Sequence, residues 1–126
     1  MCAFTAVSGD ISVSGIAQKE VRRREALVKD AGARLDEADA LLRGGKSEEA
    51  VNAYSQVYQS LPKAALAEPA RNRARAGFAA ASCQRARELM AEARHAEATQ
   101  LLDNVLAPDV DPDHPEARKL KKEFQD

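Results

Sequence analysis

Alanine is the residue that most restricts what this chain can fold into. The 126 residues include 26 alanines, but only six glycines, five prolines and no tryptophan. Alanine has the highest helix propensity of all residues, and it is uncommon in strands. Its small side chain also lets two helix backbones approach closely. The sequence therefore predicts an all-α fold with closely packed helices.

The net charge and the small number of potentially metal-binding or catalytic residues exclude several classes of function. The 19 basic and 20 acidic residues give a net charge of −1, so the chain has no overall positive field that would attract nucleic acid. Two cysteines and two well-separated histidines predict neither a disulfide framework nor a metal site. No phosphate-binding loop or nucleophile motif stands out. We therefore expect no enzyme, no cofactor and no metal.

The N-terminal segment differs from the rest of the chain. In residues 4–14, Ile11 and Val13 alternate with serines, a pattern typical of a short strand. We predict that residues 1–15 form an extended arm, either flexible or paired as a strand with something outside the domain. The segment lacks the features of a secretory signal, which predicts a soluble, cytoplasmic chain. If a signal has been removed, Cys2 would instead suggest a lipoprotein of the bacterial periplasm or cell envelope.

Helical periodicity begins at Ile16, so residues 16–126 are predicted to form one helical domain. Glycines and prolines mark three of the four breaks that divide this domain into five helices. Ser47 is predicted to be the N-cap of the second helix, and Asp113 with Glu116 is predicted to cap the last one. The predicted helices span residues 16–43, 47 to about 61, 69 to about 93, 95–106 and 115 to about 124.

A seven-residue apolar repeat marks the first helix. It comprises Val21, Val28, Leu35 and Leu42. Three arginines at 22–24 interrupt the apolar stripe, so the half of the helix after Lys29 is predicted to be the better buried. Formation of a homodimer through this helix remains an alternative, because it would bury the apolar residues of the other half.

The chain also contains an internal repeat with an offset of 48 residues. This offset aligns residues 35–58 with residues 83–106 and places Ala38 on Ala86. A small residue at a helix crossing lets two backbones approach, and larger apolar residues one turn away fill the space beside it. Repeated pairs of antiparallel helices show this pattern.

The repeat resembles the tetratricopeptide repeat (TPR) family. The residues that carry the likeness are Ala38, Leu41, the turn 45–50, Tyr54 and Leu61-Pro62 in the first copy, and Ala86, Leu89, the turn 94–98, Leu102 and Pro108 or Pro112 in the second. The large first-helix residue of the family is missing from both copies, and the offset exceeds the usual period of about 34 residues. The resemblance implies two TPR-like antiparallel helix hairpins followed by a C-terminal helix.

The resemblance also implies a function, that of a non-catalytic protein–protein interaction module. Such repeats bind partners along the wall formed by the first helices of the hairpins. In this chain, that partner-binding groove would comprise Leu35, Asp39, Leu42, Arg43, Ala80, Cys83, Arg87 and Met90. The expected partner is a protein or peptide that presents an amphipathic helix or an extended apolar segment. Alternatively, this stripe packs against the chain's own termini.

The resemblance suggests a biological setting as well. The chain is similar to accessory regions of bacterial pilus and secretion machines of the secretin type, and it could be an excised part of such a protein. As a scaffold, it would help to assemble a larger complex.

A helical nucleic-acid adaptor is the alternative function. Arginines give the third helix a local positive excess, and they are Arg71, Arg73, Arg75, Arg85 and Arg87. Nucleic-acid contact needs such charge on one face, with aromatic residues to stack on bases. Arg71 and Arg75 share a face, but Arg73 points elsewhere and only Phe78 is near. Nucleic acid is therefore the less favoured partner.

Overall fold

Apart from the start of the first helix, the helices begin and end close to where the sequence predicts. In a computed structural model, the backbone is described for residues 2–125 and the side chains for residues 15–125. The helices are α1 (Cys2–Arg43), α2 (Ser47–Ser60), α3 (Glu68–Ala91), α4 (His95–Val105) and α5 (Pro115–Gln125), and a 3-10 turn, Ala65–Ala67, precedes α3. The all-α class is thus confirmed for this part of the chain, in which no strand occurs.

The extended or strand-like arm predicted for residues 1–15 is wrong for the backbone of residues 2–15, which belongs to α1. So short a strand has no partner strand to pair with among the described residues, and the helix continues instead. The lipid-anchoring role of Cys2 stays a prediction. Across residues 2–125, no helix combines the length and apolar content that crossing a membrane requires.

The turn between α1 and α2 recurs between α3 and α4, 48 residues later. Each turn has the paired hydrogen bonds of a Schellman motif, which closes a helix with one left-handed residue. The bonds are Lys46 N–H to Leu41 O (2.9 Å) and Gly45 N–H to Leu42 O (3.1 Å) in the first turn, and Arg94 N–H to Leu89 O (2.8 Å) and Ala93 N–H to Met90 O (3.0 Å) in the second. The left-handed residues have φ values of 81° at Gly45 and 63° at Ala93. The repeat in the sequence therefore corresponds to a repeated backbone turn.

Substitutions at the left-handed residues of the two turns are expected to change the free energy of unfolding in opposite directions. Ala93→Gly is expected to raise the free energy of unfolding by about 1 kcal/mol, because glycine has no Cβ to clash in this conformation. Gly45→Ala is expected to lower it by about the same amount. A Cβ on Gly45 would meet nothing within 4 Å, so the effect comes from the backbone alone. Urea unfolding of both variants is the measurement, and shifts of the same sign would contradict the shared geometry.

Fully buried alanines lie where the helices pack. Ala38 and Ala50 are 0 % exposed, as are their repeat partners Ala86 and Ala98. They belong to two apolar clusters, one built from α1, α2 and α3 and the other from α3, α4 and α5. Phe78 of α3 packs against both clusters. The central helix α3 therefore joins two small cores.

The first helix enters the core only in its second half. Its fully buried residues begin at Ala31, whereas Ile16 and Val21 are 69 % and 50 % exposed. This confirms the prediction that the half after Lys29 is the better buried. Most of the seven-residue apolar stripe packs against other parts of the same chain. Leu35 is buried in the first cluster, and two further members of the stripe pack against that cluster. A homodimer through this helix stays a prediction.

The start of α5 differs in detail from the prediction. The side chain that caps it is that of His114, whose Nδ1 accepts the backbone N–H of Ala117 at 3.1 Å. Asp113 was the expected cap, but it lies one residue too early. Its carboxylate instead faces Arg118, 3.6 Å away.

Candidate functional site

A groove runs between α2 and α4, with α3 along its floor. The backbones of α2 and α4 each pack on α3, but within the described residues they do not pack on each other. Two adjoining hollows of about 480 and 260 Å³ share Val51, Asn52 and Leu101 in their walls. We call this surface the α2–α4 groove. Its wider hollow lies beside Tyr58 and its narrower hollow beside Glu48.

The wider hollow combines an apolar lining with polar groups, of which two, Arg75 and Asp109, are charged. Its apolar residues are Val51, Tyr58, Phe78, Leu101, Ala107 and Val110. Its uncharged polar residues are Asn52, Ser55 and Gln59 from α2 and Asn104 from α4. Concave, mostly apolar surfaces with a few polar groups are the usual form of binding sites. This hollow therefore has the composition of a docking site.

Helical spacing explains why these polar residues share the groove. Asn52, Ser55 and Gln59 are separated by three and four positions, so they lie on one face of α2. A different face of the same helix carries Tyr54 and Val57, which are 1 % exposed in the first cluster. One stripe of α2 thus fixes the helix on the core, and the neighbouring stripe lines the groove.

The narrower hollow is acidic at its edges. Glu48 and Glu97 lie in the first turns of α2 and α4, and Arg85 of α3 lies between them. Arg85 forms ion pairs with Glu48 at 3.5 Å and with Glu88 at 3.3 Å. Ser47, the expected N-cap of α2, is instead its first helical residue. Its hydroxyl donates to Glu88 Oε1 at 2.6 Å, which links α2 to α3.

Tyr58 closes the far end of the wider hollow. The Arg71 guanidinium lies 4.6 Å from the centre of the Tyr58 ring, and that of Arg75 lies 5.8 Å away. The Tyr58 hydroxyl accepts a hydrogen bond from Arg71 at 3.0 Å and donates to the Asp109 carbonyl at 3.3 Å. Cation–π contact and hydrogen bonds thus hold this side chain from two directions.

The arginines of α3 are all paired with carboxylates of the same chain. The pairs are Arg71 and Arg75 with Glu68 (4.0 and 3.2 Å), Arg73 with Asp36 and Asp39 (both 2.7 Å), Arg85 with Glu48 and Glu88, and Arg87 with Glu116. Each arginine on which the nucleic-acid alternative depends therefore has a carboxylate partner within the chain, with Glu68 shared between Arg71 and Arg75.

The eight residues predicted as a partner-binding groove do not line the α2–α4 groove. Leu35 and Cys83 are 0 % exposed, so for these two the prediction of an exposed wall is wrong. Each fills a contact between helices, Leu35 in the first cluster and Cys83 in the second. Burial also raises the pKa of the Cys83 thiol, which disfavours the thiolate form that a reactive cysteine needs. Of the others, Asp39, Leu42 and Met90 are half-buried, and Arg43, Ala80 and Arg87 are exposed.

Asp39 has a role within the fold. It accepts hydrogen bonds from the Tyr54 hydroxyl of α2 and from Arg73 Nη2 of α3, the latter at 2.7 Å. Burial raises the pKa of the Asp39 carboxyl, but the hydrogen bonds from Tyr54 and Arg73 outweigh it, and the net pKa lies below the usual value. Burial and the bond to Asp39 raise the pKa of Tyr54. This network ties three helices together.

The lowered carboxylate pKa values predict acid destabilisation. The pKa of Glu88 is lowered by the hydrogen bond from Ser47 against opposing burial, and that of Asp39 is lowered as described. A carboxylate whose pKa is lower in the folded state stabilises the fold at pH values above its unfolded pKa, which is 4.5 for Glu and 3.8 for Asp. This stabilisation is lost as the pH falls through the lower pKa of the folded state. We expect the free energy of unfolding to decrease below about pH 4.5.

Asp39→Asn separates the two contributions to this pH dependence. The variant is expected to be less stable at pH 7 and to lose less stability between pH 5 and pH 3 than the parent, because one of the two carboxylates is gone. Urea unfolding at a series of pH values is the measurement. An unchanged pH dependence in the variant would contradict the assignment to Asp39.

Metal-ligating residues do not gather in the part of the chain that the structure describes. No group of three or more His, Cys, Asp or Glu side chains there could hold a metal ion. His95 instead lies in the first turn of α4, with Nδ1 3.2 Å from the Met90 sulfur.

Comparison with known proteins identifies no relative. No protein-family model matches the chain, and neither a curated protein nor a solved structure shows significant similarity to it.

The α2–α4 groove was missed by the sequence analysis. Its signal is the run of uncharged polar residues Asn52, Ser55 and Gln59 beside the buried stripe of α2. This spacing shows a shared face but does not show that α4 lies opposite. Only the packing of both helices on α3 creates the groove.

Proposed function

We propose that this chain is a non-catalytic protein–protein interaction module, a TPR-like scaffold that helps to assemble a larger complex. Its docking surface is the α2–α4 groove. The observation that carries the proposal is the wider hollow, which combines the apolar side chains of Phe78 and Leu101 with polar side chains from α2 and α4. The link to bacterial pilus or secretion proteins rests on the resemblance of the sequence alone.

Two further observations support a repeat scaffold. The Schellman turn recurs after 48 residues, and Ala38 and Ala86 are buried at equivalent positions. Short helical repeats use such turns and small residues to stack into a continuous surface for partners. The paired arginines of α3 weigh against the nucleic-acid alternative.

Selection from a random peptide display library by the full chain tests this function. Ser55→Arg places a long side chain in the groove, whereas Gln56→Arg adds the same charge on an exposed part of α2 outside it. Ala80→Arg adds it on the wall that the sequence predicted. We expect peptides that bind the parent to lose binding to the Ser55 variant and to keep it with the other two.

Two results would contradict the proposed docking surface. One is a failure to enrich any peptide that is sensitive to Ser55→Arg. The other is a loss of binding with Ala80→Arg alone, which would place the partner on the wall predicted from the sequence. Circular dichroism of all three variants shows whether each has kept the helical fold.

A further inference from the structure

We propose that the α2–α4 groove binds a peptide in extended conformation that carries one apolar residue and, three to five residues away, a lysine or arginine. This inference rests on the proposed function and specifies the partner. It follows from the polar groups of the groove, its apolar hollow and the charge at its narrower end.

The side chains on both edges of the groove favour an extended backbone. Asn52 and Gln59 on α2, with Asn104 on α4, each carry a carboxamide. A carboxamide both donates and accepts hydrogen bonds, as a backbone peptide group does. An extended peptide exposes its N–H and C=O groups to such partners, whereas a helix uses most of them internally.

The wider hollow accommodates the apolar residue. Phe78 and Leu101 are half-buried and line it, and Val51 is 9 % exposed between the two hollows. An apolar side chain placed there would remove the exposed parts of these residues from water, which favours binding.

The narrower hollow favours a positive charge. Glu48 and Glu97 are 71 % and 57 % exposed at its two edges. Four carboxylates, those of Glu48, Glu88, Glu92 and Glu97, share two guanidiniums, since Arg85 pairs with the first two and Arg94 with the last two. This end therefore carries an excess of negative charge. A lysine or arginine of the partner complements it.

The length of the groove sets the spacing between the two partner residues. Along α3, Arg85 and Leu89 follow Phe78 by seven and eleven positions. At 1.5 Å per helical residue this is about 10 to 16 Å. An extended peptide covers about 3.3 Å per residue. The distance thus corresponds to three to five residues of the partner.

Peptides selected from a random twelve-residue display library are the probe for this inference. We expect the peptides that lose binding with Ser55→Arg to share an apolar residue and a lysine or arginine at this spacing. Glu48→Lys should weaken their binding to the full chain at least tenfold. Glu49→Lys, the matched control, changes the neighbouring exposed glutamate of the same helical turn, which does not line either hollow. It should change binding less than twofold.

Other outcomes separate this inference from the proposed function. Peptides that depend on Ser55 but lack a basic residue, or that bind equally well to the Glu48 variant, would overturn the inference and leave the groove as a docking site. Helical ¹³C chemical shifts in a labelled bound peptide would overturn it as well. Absence of any peptide sensitive to Ser55→Arg would count against both.

Discussion

Replacing Gly77 with alanine is expected to lower the free energy of unfolding by about 3 kcal/mol. Gly77 of α3 packs directly against the ring of Tyr54. A Cβ at this position would lie 2.2 Å from Tyr54 Cε1 and 2.5 Å from Cδ1, so the ring or the helix must move. Neither moves easily, because Tyr54 is 1 % exposed and its hydroxyl is held by Asp39. Overpacking of a filled core is correspondingly costly.

Gly32→Ala is the matched control for this prediction. Gly32 also lies inside a helix, but a Cβ there would meet nothing within 4 Å. Alanine favours the helix over glycine by about 1 kcal/mol, so this variant is expected to be more stable than the parent. Urea or thermal unfolding compares the two directly. If both variants gained stability, the close contact between α3 and Tyr54 would be disproved.

Leu35→Ala is the second change with a large expected effect. Leu35 is 0 % exposed and lies in the cluster that joins α1 to α2 and α3. Truncating a fully buried leucine removes its transfer free energy and leaves a cavity, which together cost about 3 kcal/mol. We therefore expect a marked decrease in the midpoint of urea unfolding.

Leu66→Ala controls for the loss of a leucine as such. Leu66 is 47 % exposed, so its truncation is expected to cost less than about 1 kcal/mol. A similarly small cost at Leu35 would indicate that this residue faces solvent, as the predicted partner-binding wall requires. A loss of peptide binding by Leu35→Ala would report unfolding, so binding must be measured together with the helical content.

The limits of the helices could be predicted because they depend on nearby residues. Gly45 ends α1 by adopting a left-handed conformation that other residues disfavour, and Pro69 lies in the first turn of α3. The burial of Ala38 and Ala86 was predictable too, since a periodic stripe with a small residue is enough to mark a helix crossing. Ala93 shows that the turn forms even without glycine.

The candidate site could not be predicted in the same way. Helical periodicity shows that Leu35 and Cys83 belong to apolar stripes, but it does not show whether a stripe faces another helix or solvent. In the folded chain both stripes are covered. The residues that form a concave surface are instead Asn52 and Asn104, on two helices that are far apart in the sequence.

The sequence by itself determined the all-α class, the helix ends other than the start of α1, and the repeated turn, since each depends on interactions within a few residues along the chain. Only the tertiary structure decided which surface is open. It placed α3 between α2 and α4, buried the wall expected from the first helices at Leu35 and Cys83, and left a groove on another side. Contacts between distant segments set this arrangement, and no local pattern encodes them.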